Sequence, residues 1–189
     1  MTKIVTPKAG PASLTSTLPV AVVDVFNHFF TAELTTLGRT GTPVTWPIMP
    51  IFWARRGLLV TLTSIGLPQK AFNIRRNPQV ALLFSDPTGS ELAHPPAVLV
   101  QGEATVADQV TTSRADTDPE LFEVMLVQAR KMIQRQPAMS LYLSNPITRY
   151  LMDWYFMRLR ISVTPRHIFW WEDGDFSRTP HQLEVSHVA

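Results

Sequence analysis

Residues 59 to 78 read Leu59-Val-Thr61-Leu-Thr63-Ser64-Ile-Gly66-Leu-Pro68-Gln69-Lys70-Ala-Phe-Asn73-Ile-Arg-Arg-Asn77-Pro78, and their types and spacing suit the capture of an anion. A β-prone run ends in hydroxyl side chains, the chain turns at Gly66, and a helix is predicted from about Pro68 to Arg76. Lys70 then falls in the first turn of that helix, where free N–H groups and the helix dipole favour negative charge. Thr63 and Ser64 offer hydroxyl donors to phosphate oxygens, and Lys70 offers a point charge. The alternative is a solvated lysine at the start of a surface helix. The stretch is not a P-loop, since no Gly-x-x-x-x-Gly-Lys-Ser/Thr occurs, and the absence of Gly-x-Gly-x-x-Gly argues against a Rossmann dinucleotide site.

Several elements must position these groups. Thr17-Leu18-Pro19 opens a helix with Val22, Val23, Phe26, Phe29 and Phe30 on one stripe. Ala32–Leu37 and Pro43–Phe52, joined through Gly38 and Gly41, read as a hairpin, with Pro47 and Pro50 making its second strand an edge or bulging it beyond Trp46. Leu58–Thr63 is a strand with Leu59, Thr61 and Thr63 on one face and Leu58, Val60 and Leu62 on the other. The following helix must stop before Pro78, which pushes Asn77 out of the α region. Val80–Phe84 and Val98–Ala107 are further strands, and Asp118-Pro119-Glu120 starts a helical insert running to about Gln136 that could serve as a lid, a dimer arm or plain packing. Another helix is expected from Pro146 to about Phe156. Leu159, Ile161 and Val163 alternate with Arg158, Arg160 and Ser162, and Pro165 is expected to turn this strand into a last one, His167–Glu172. So many short antiparallel strands predict a mainly β protein with a closed barrel rather than a doubly wound sheet.

Composition bounds the function. At 189 residues one domain is expected, here 17–189 behind a flexible arm of residues 1–16. There is no cysteine, which excludes disulfides, thiolate metal sites and cysteine nucleophiles; a cytoplasmic setting fits. With 17 basic against 15 acidic residues the formal charge is +2, too balanced to argue for nucleic acid. No apolar run approaches the ~20 residues of a membrane span. The histidines lack metal-ligand spacing, although a single axial ligand to haem stays open. Trp154, Tyr155, Phe156, Phe169, Trp170 and Trp171 make an aromatic end suited to core or interface packing, or to a contact of Trp170 or Trp171 with a cofactor ring. Arg158 and Arg160 are solvated, ion-paired, or binders of an anionic tail.

Residues 32–107 resemble the pyridoxamine 5′-phosphate oxidase-like split-barrel family, whose members mostly bind FMN and in some branches the deazaflavin F420. The similar segments are Thr35-Thr-Leu-Gly-Arg-Thr-Gly-Thr-Pro-Val-Thr45, the strand ending Thr63-Ser64, Gln69-Lys70-Ala-x-Asn73-Ile-Arg-Arg-Asn77-Pro78-x-Val80-Ala-Leu82, and Val98-Leu-Val-Gln-Gly-Glu-Ala104; Ile161–Trp171 is similar to the family's last strands. The resemblance implies an antiparallel split β-barrel, a homodimer with the cofactor at its interface, and hydride transfer between FMN, or alternatively F420, and a small-molecule substrate; the same fold also serves non-catalytic flavin or haem binders. It places Thr63, Ser64, Gln69 and Lys70 around the cofactor phosphate and runs Val44, Thr45, Trp46 and Pro47 along the ring and ribityl chain, largely through backbone; Thr61 on the same strand and Trp170 of the aromatic end complete the expected cofactor-binding set. The oxidases proper have Arg where Gln69 stands, a loop about one residue shorter before Lys70, and a ring-contacting Gln where this chain has Ala97. These departures point away from vitamin B6 oxidation.

Overall fold

The computed structural model describes residues 13–111 and 158–185, together with helical Pro119, Phe122, Glu123 and Leu126. The helices expected at 118–136 and 146–156 otherwise lie outside the described residues. The elements are α1 (Ser13–Thr17), α2 (Val20–His28), β1 (Ala32–Leu37), β2 (Pro43–Ile48), β3 (Ile51–Trp53), β4 (Leu58–Ser64), α3 (Gln69–Arg76), β5 (Gln79–Phe84), β6 (Ala97–Thr111), β7 (Arg158–Trp171) and β8 (His181–Glu184). Residues 13–16 of the expected arm are thus helical, because Leu14 is buried against the core.

All strand pairs are antiparallel, in the order β2-β1-β5-β6-β7-β4-β3, with β8 beside β7. The fold is mainly β, as expected, but the sheet does not close. Its two edges, β2 and β3, are consecutive in sequence: β2 ends at Ile48, the chain bends through Met49-Pro50, and β3 restarts at Ile51. Pro43, Pro47 and Pro50 have no N–H to give a closing ladder. What crosses the seam instead is a side chain: Thr61 Oγ1 donates to the Met49 carbonyl at 3.1 Å. The barrel is split for this reason.

The concave face is filled by α2. Val22, Val25 and Phe26 are fully buried, and the Phe26 ring lies 5.2 Å from both Phe52 and Phe84. Each such side chain stabilises the fold by roughly 1.5–3 kcal/mol relative to exposure. Beneath it the strands alternate as the pattern requires, with Leu34, Leu59, Leu82, Val100 and Ile161 all buried in one cluster.

β7 corrects the expected turn at Pro165. The strand runs unbroken from Arg158 to Trp171, and Pro165 sits inside it beside a β-bulge. Gln101 pairs with His167 while Gly102 pairs with Pro165, leaving Arg166 as the extra residue. The bulge resets the alternation, so Val163 and Ile168, an odd number of positions apart, both reach the core. It also brings backbone close to Gly102, where a Cβ would lie 2.2 Å from the Thr164 carbonyl oxygen.

Candidate functional site

The seam between β2 and β4 collects the residues that could hold a ligand. Thr63 lies on the concave face at the end of β4, opposite Leu159 of β7, and is buried. After Ser64 the chain makes a short turn in which the Ser64 hydroxyl accepts the Gly66 N–H at 3.2 Å. Helix α3 then begins at Gln69 with Pro68 at its cap position and no side chain capping its first amides. It ends where Pro78 requires, with Asn77 in an extended conformation (φ −143°).

Lys70, the second residue of α3, turns back over Thr63. Its Nζ donates to Thr63 Oγ1 at 3.1 Å and lies 5.7 Å from the centre of the Trp46 ring on β2. The ammonium therefore spans the split, touching β4 by a hydrogen bond and β2 by a cation–π contact. The Thr63 hydroxyl is already committed, because it gives its proton to the Leu67 carbonyl at 3.1 Å. It thus presents a lone pair to Lys70 and orients it. Burial pushes the Lys70 amine below its usual value of 10.5, since a half-buried charge loses hydration.

Gln69 and Lys70 part company. The Gln69 amide donates along the helix to Asn73 Oδ1 at 3.1 Å. Asn73 is fully buried and donates in turn to Thr36 Oγ1 of β1 at 3.0 Å, while its Oδ1 also accepts from Arg76. One asparagine so joins three partners: Gln69 before it, Arg76 after it, and Thr36 of β1 beneath. In the sequence Asn73 stands out only as one position of the family-like segment. Its one local signal is an Asn in the middle of a helix, where it is disfavoured unless its side chain is engaged.

The remaining expected residues divide by face. Val44 and Trp46 are half-buried on the concave side of β2, opposite Thr36 and Leu34. Thr45 and Pro47 are exposed on the convex side, and the Thr45 hydroxyl bonds that of Thr35 at 2.8 Å. β2 is an edge of the described sheet, so among the described residues backbone groups on its outer side have no strand partner. Thr61 is buried, with its hydroxyl on Met49. Trp170 stands apart: it follows Leu159 on the same strand by a stretch of roughly 35 Å if straight, and it stacks on His181 at 5.3 Å. Within one chain the structure brings Trp46, Thr61, Thr63 and Lys70 to the seam and leaves Trp170 at the far end.

Among the described residues no cluster of His, Asp or Glu could hold a metal ion, and no helix is long and apolar enough to cross a membrane. No protein-family model and no curated protein sequence matches the chain. Solved structures do match. A protein related to general stress protein 26 of B. subtilis (pyridoxinephosphate oxidase family) from Clostridium acetobutylicum superposes with a TM-score of 0.53 at 10% identity, over 88% of this chain and 93% of that one. General stress protein 26 from Bacillus anthracis str. Sterne gives 0.51 at 16% identity, over 88% and 97%. A heme binding protein from Mycobacterium smegmatis gives 0.51 at 14% identity, over 88% of this chain and 59% of that one. At such identities the likeness is one of architecture: this chain has the pyridoxamine 5′-phosphate oxidase-like fold.

Proposed function

We propose that this protein binds a phosphorylated flavin-type cofactor at the β2–β4 seam and works as an oxidoreductase on a small organic substrate, as a homodimer. FMN is the default cofactor and F420 the alternative. The observation that carries the reading is Lys70, a half-buried ammonium held between Thr63 and the Trp46 ring at an uncapped helix start. Among the described residues no anionic side chain compensates it, so an incoming phosphate would regain the electrostatic stabilisation that burial removed.

The donor set fits such a group. Lys70 would hold the phosphate, with Thr63 keeping its amine in place. The edge strand β2 would offer unpaired backbone groups and the Trp46 ring to the body of the ligand. When bound, the ring system would supply the hydride chemistry, and the chain's own task would be to hold and orient it. This reading calls for no side chain acting as acid or base.

The convex sheet face supports the dimer. Leu83, Leu99 and Phe169 are cross-strand neighbours there and all half-exposed, beside a cleft of about 760 Å³ lined by Thr35, Ala81, Gln101, Arg166, His167 and Glu184. A large sheet face of this kind is ordinarily buried by a second layer. A place for Trp170 in the site requires the second copy.

The test begins with the visible spectrum of the purified protein and titration with FMN, F420 and haem, followed by reduction with NAD(P)H or reduced F420. Lys70→Ala should weaken FMN or F420 binding by about 10- to 100-fold, the scale of one charge-assisted hydrogen bond. Titrations unchanged by Lys70→Ala would refute the grip, and a stable haem spectrum with no flavin binding would refute the cofactor class.

A further inference from the structure

β7 has two ends: Arg158 faces Ser64 beside the seam, and Trp171 pairs with Ala97 at the other end, on the last rung shared with β6. From that rung two loops leave the sheet, residues 85–96 leading into β6 and the short turn Glu172–Gly174 following β7. The register lays them against each other, so that a Cβ on Gly174 would lie 3.9 Å from the Pro95 carbonyl oxygen. They enclose, with Phe29 at the end of α2, a cavity of about 340 Å³. Its floor is buried and apolar, made by Phe29, Pro96 and Ala97. Its rim is exposed and carries His94, Asp173 and Phe176. Phe176 is 54% exposed yet held in place, its ring 5.1 Å from that of Trp171.

We propose that this cavity binds an organic cation with an aromatic body, the charged group beside Asp173 and the ring on Phe29 under Phe176. The apolar floor would take the body of the ligand out of water, while a carboxylate and an aromatic face both attract its charge. The field around the cavity has the same sign. Segments 85–96 and 172–177 hold five carboxylates, Asp86, Glu91, Glu172, Asp173 and Asp175, and neither lysine nor arginine, so they draw cations and repel anions. Asp86, Glu172 and Asp175 are engaged by Thr88, His181 and Arg178, whereas Asp173 lines the cavity. The backbone agrees with this reading. His94 and Asp173 stand at φ 48° and 54°, a region glycine takes freely and other residues adopt at a cost, so two rim side chains are kept where glycine would relax the chain. The volume lies at the small end of ligand pockets, about 300–1,000 Å³, and suits one ring with a short arm. The inference uses none of the seam residues and stands whichever cofactor the seam takes.

The experiment titrates the full chain at neutral pH and low salt with three molecules of one shape: 2-phenylethylammonium, 2-phenylethanol and phenylacetate. The cation should bind about tenfold more tightly than the alcohol, the scale of one ion pair with a cation–π contact in a partly screened site, and phenylacetate should bind most weakly. That preference should shrink as salt is raised. Asp173→Asn removes the charge but keeps a residue that tolerates positive φ, and it should bring the cation and the alcohol close to equal. Asp173→Gly, which takes the same backbone conformation freely, should do likewise, so a loss cannot be blamed on misfolding. Phe176→Ala should weaken the cation and the alcohol together. Equal binding of cation and alcohol by the wild type, or binding of neither, overturns the proposal. So does a cation preference that survives both Asp173→Asn and Phe176→Ala, since the ligand would then sit elsewhere.

Discussion

Lys70 works by its surroundings. Thr63 gives its proton to Leu67 and a lone pair to Lys70, while Trp46 supplies a ring face, so the half-buried ammonium is oriented from two sides. Because burial lowers its pKa from 10.5, the charge is lost earlier than in a free lysine as pH rises. Anion affinity should be full at neutral pH and fall through a midpoint below 10.5, and Lys70→Arg, whose guanidinium stays charged, should abolish that fall. A titration series from pH 7 to 11 checks this; an affinity flat to pH 11 in the wild type would contradict it. Lys70, Thr63 and the helix start were legible in the sequence because they are local: a strand end, a turn and a first helical turn. The Trp46 contact and the Asn73–Thr36 bond were not, since each joins residues far apart in the chain and only the wrapping of the sheet brings them together. The Thr63 hydroxyl, expected to face phosphate, is instead turned to Leu67, a choice of hydrogen-bond partner that no spacing reveals.

The elements show where local pattern suffices and where it does not. The stop of α3 before Pro78 and the two faces of β4 followed from one residue's chemistry and a period of two. β8 was missed because His181-Gln-Leu-Glu184 is short, polar and exposed, and pairs only because β7 runs beside it. The continuity of β7 was missed because Pro165 reads as a break. It is tolerated where the bulge at Arg166 interrupts the ladder and Gly102 lets Thr164 approach. Gly102→Ala tests that explanation. The added methyl meets rigid backbone at 2.2 Å, so the loss of stability should reach about 2–4 kcal/mol, the upper range for overpacking. Chemical denaturation measures it, and a cost under 0.5 kcal/mol would mean that the two strands part easily.

At the scale of the whole molecule, one sheet face is filled by α2 and the other carries Leu83, Leu99 and Phe169 half-exposed. The strand count led to a closed barrel, whereas the sheet is open between its edges β2 and β3, and the opening is what places β2 and β4 side by side without a ladder. The dimer reading commits the convex face to a second copy. Leu99→Lys puts a charge in the middle of that face without touching the core, and it should turn a dimer into a monomer in light scattering after size exclusion while leaving Tm little changed. A wild-type monomer, or a Leu99→Lys dimer, would contradict that assignment.

The most direct test of the account is a crystal of the full chain soaked with FMN or F420 and examined at the seam. The account predicts the ligand's phosphorus within about 4 Å of Lys70 Nζ, the reach of a charge-assisted hydrogen bond, with the ring along β2. Density for the phosphate elsewhere, with Lys70 still on Thr63 and its amine open to solvent, would contradict it.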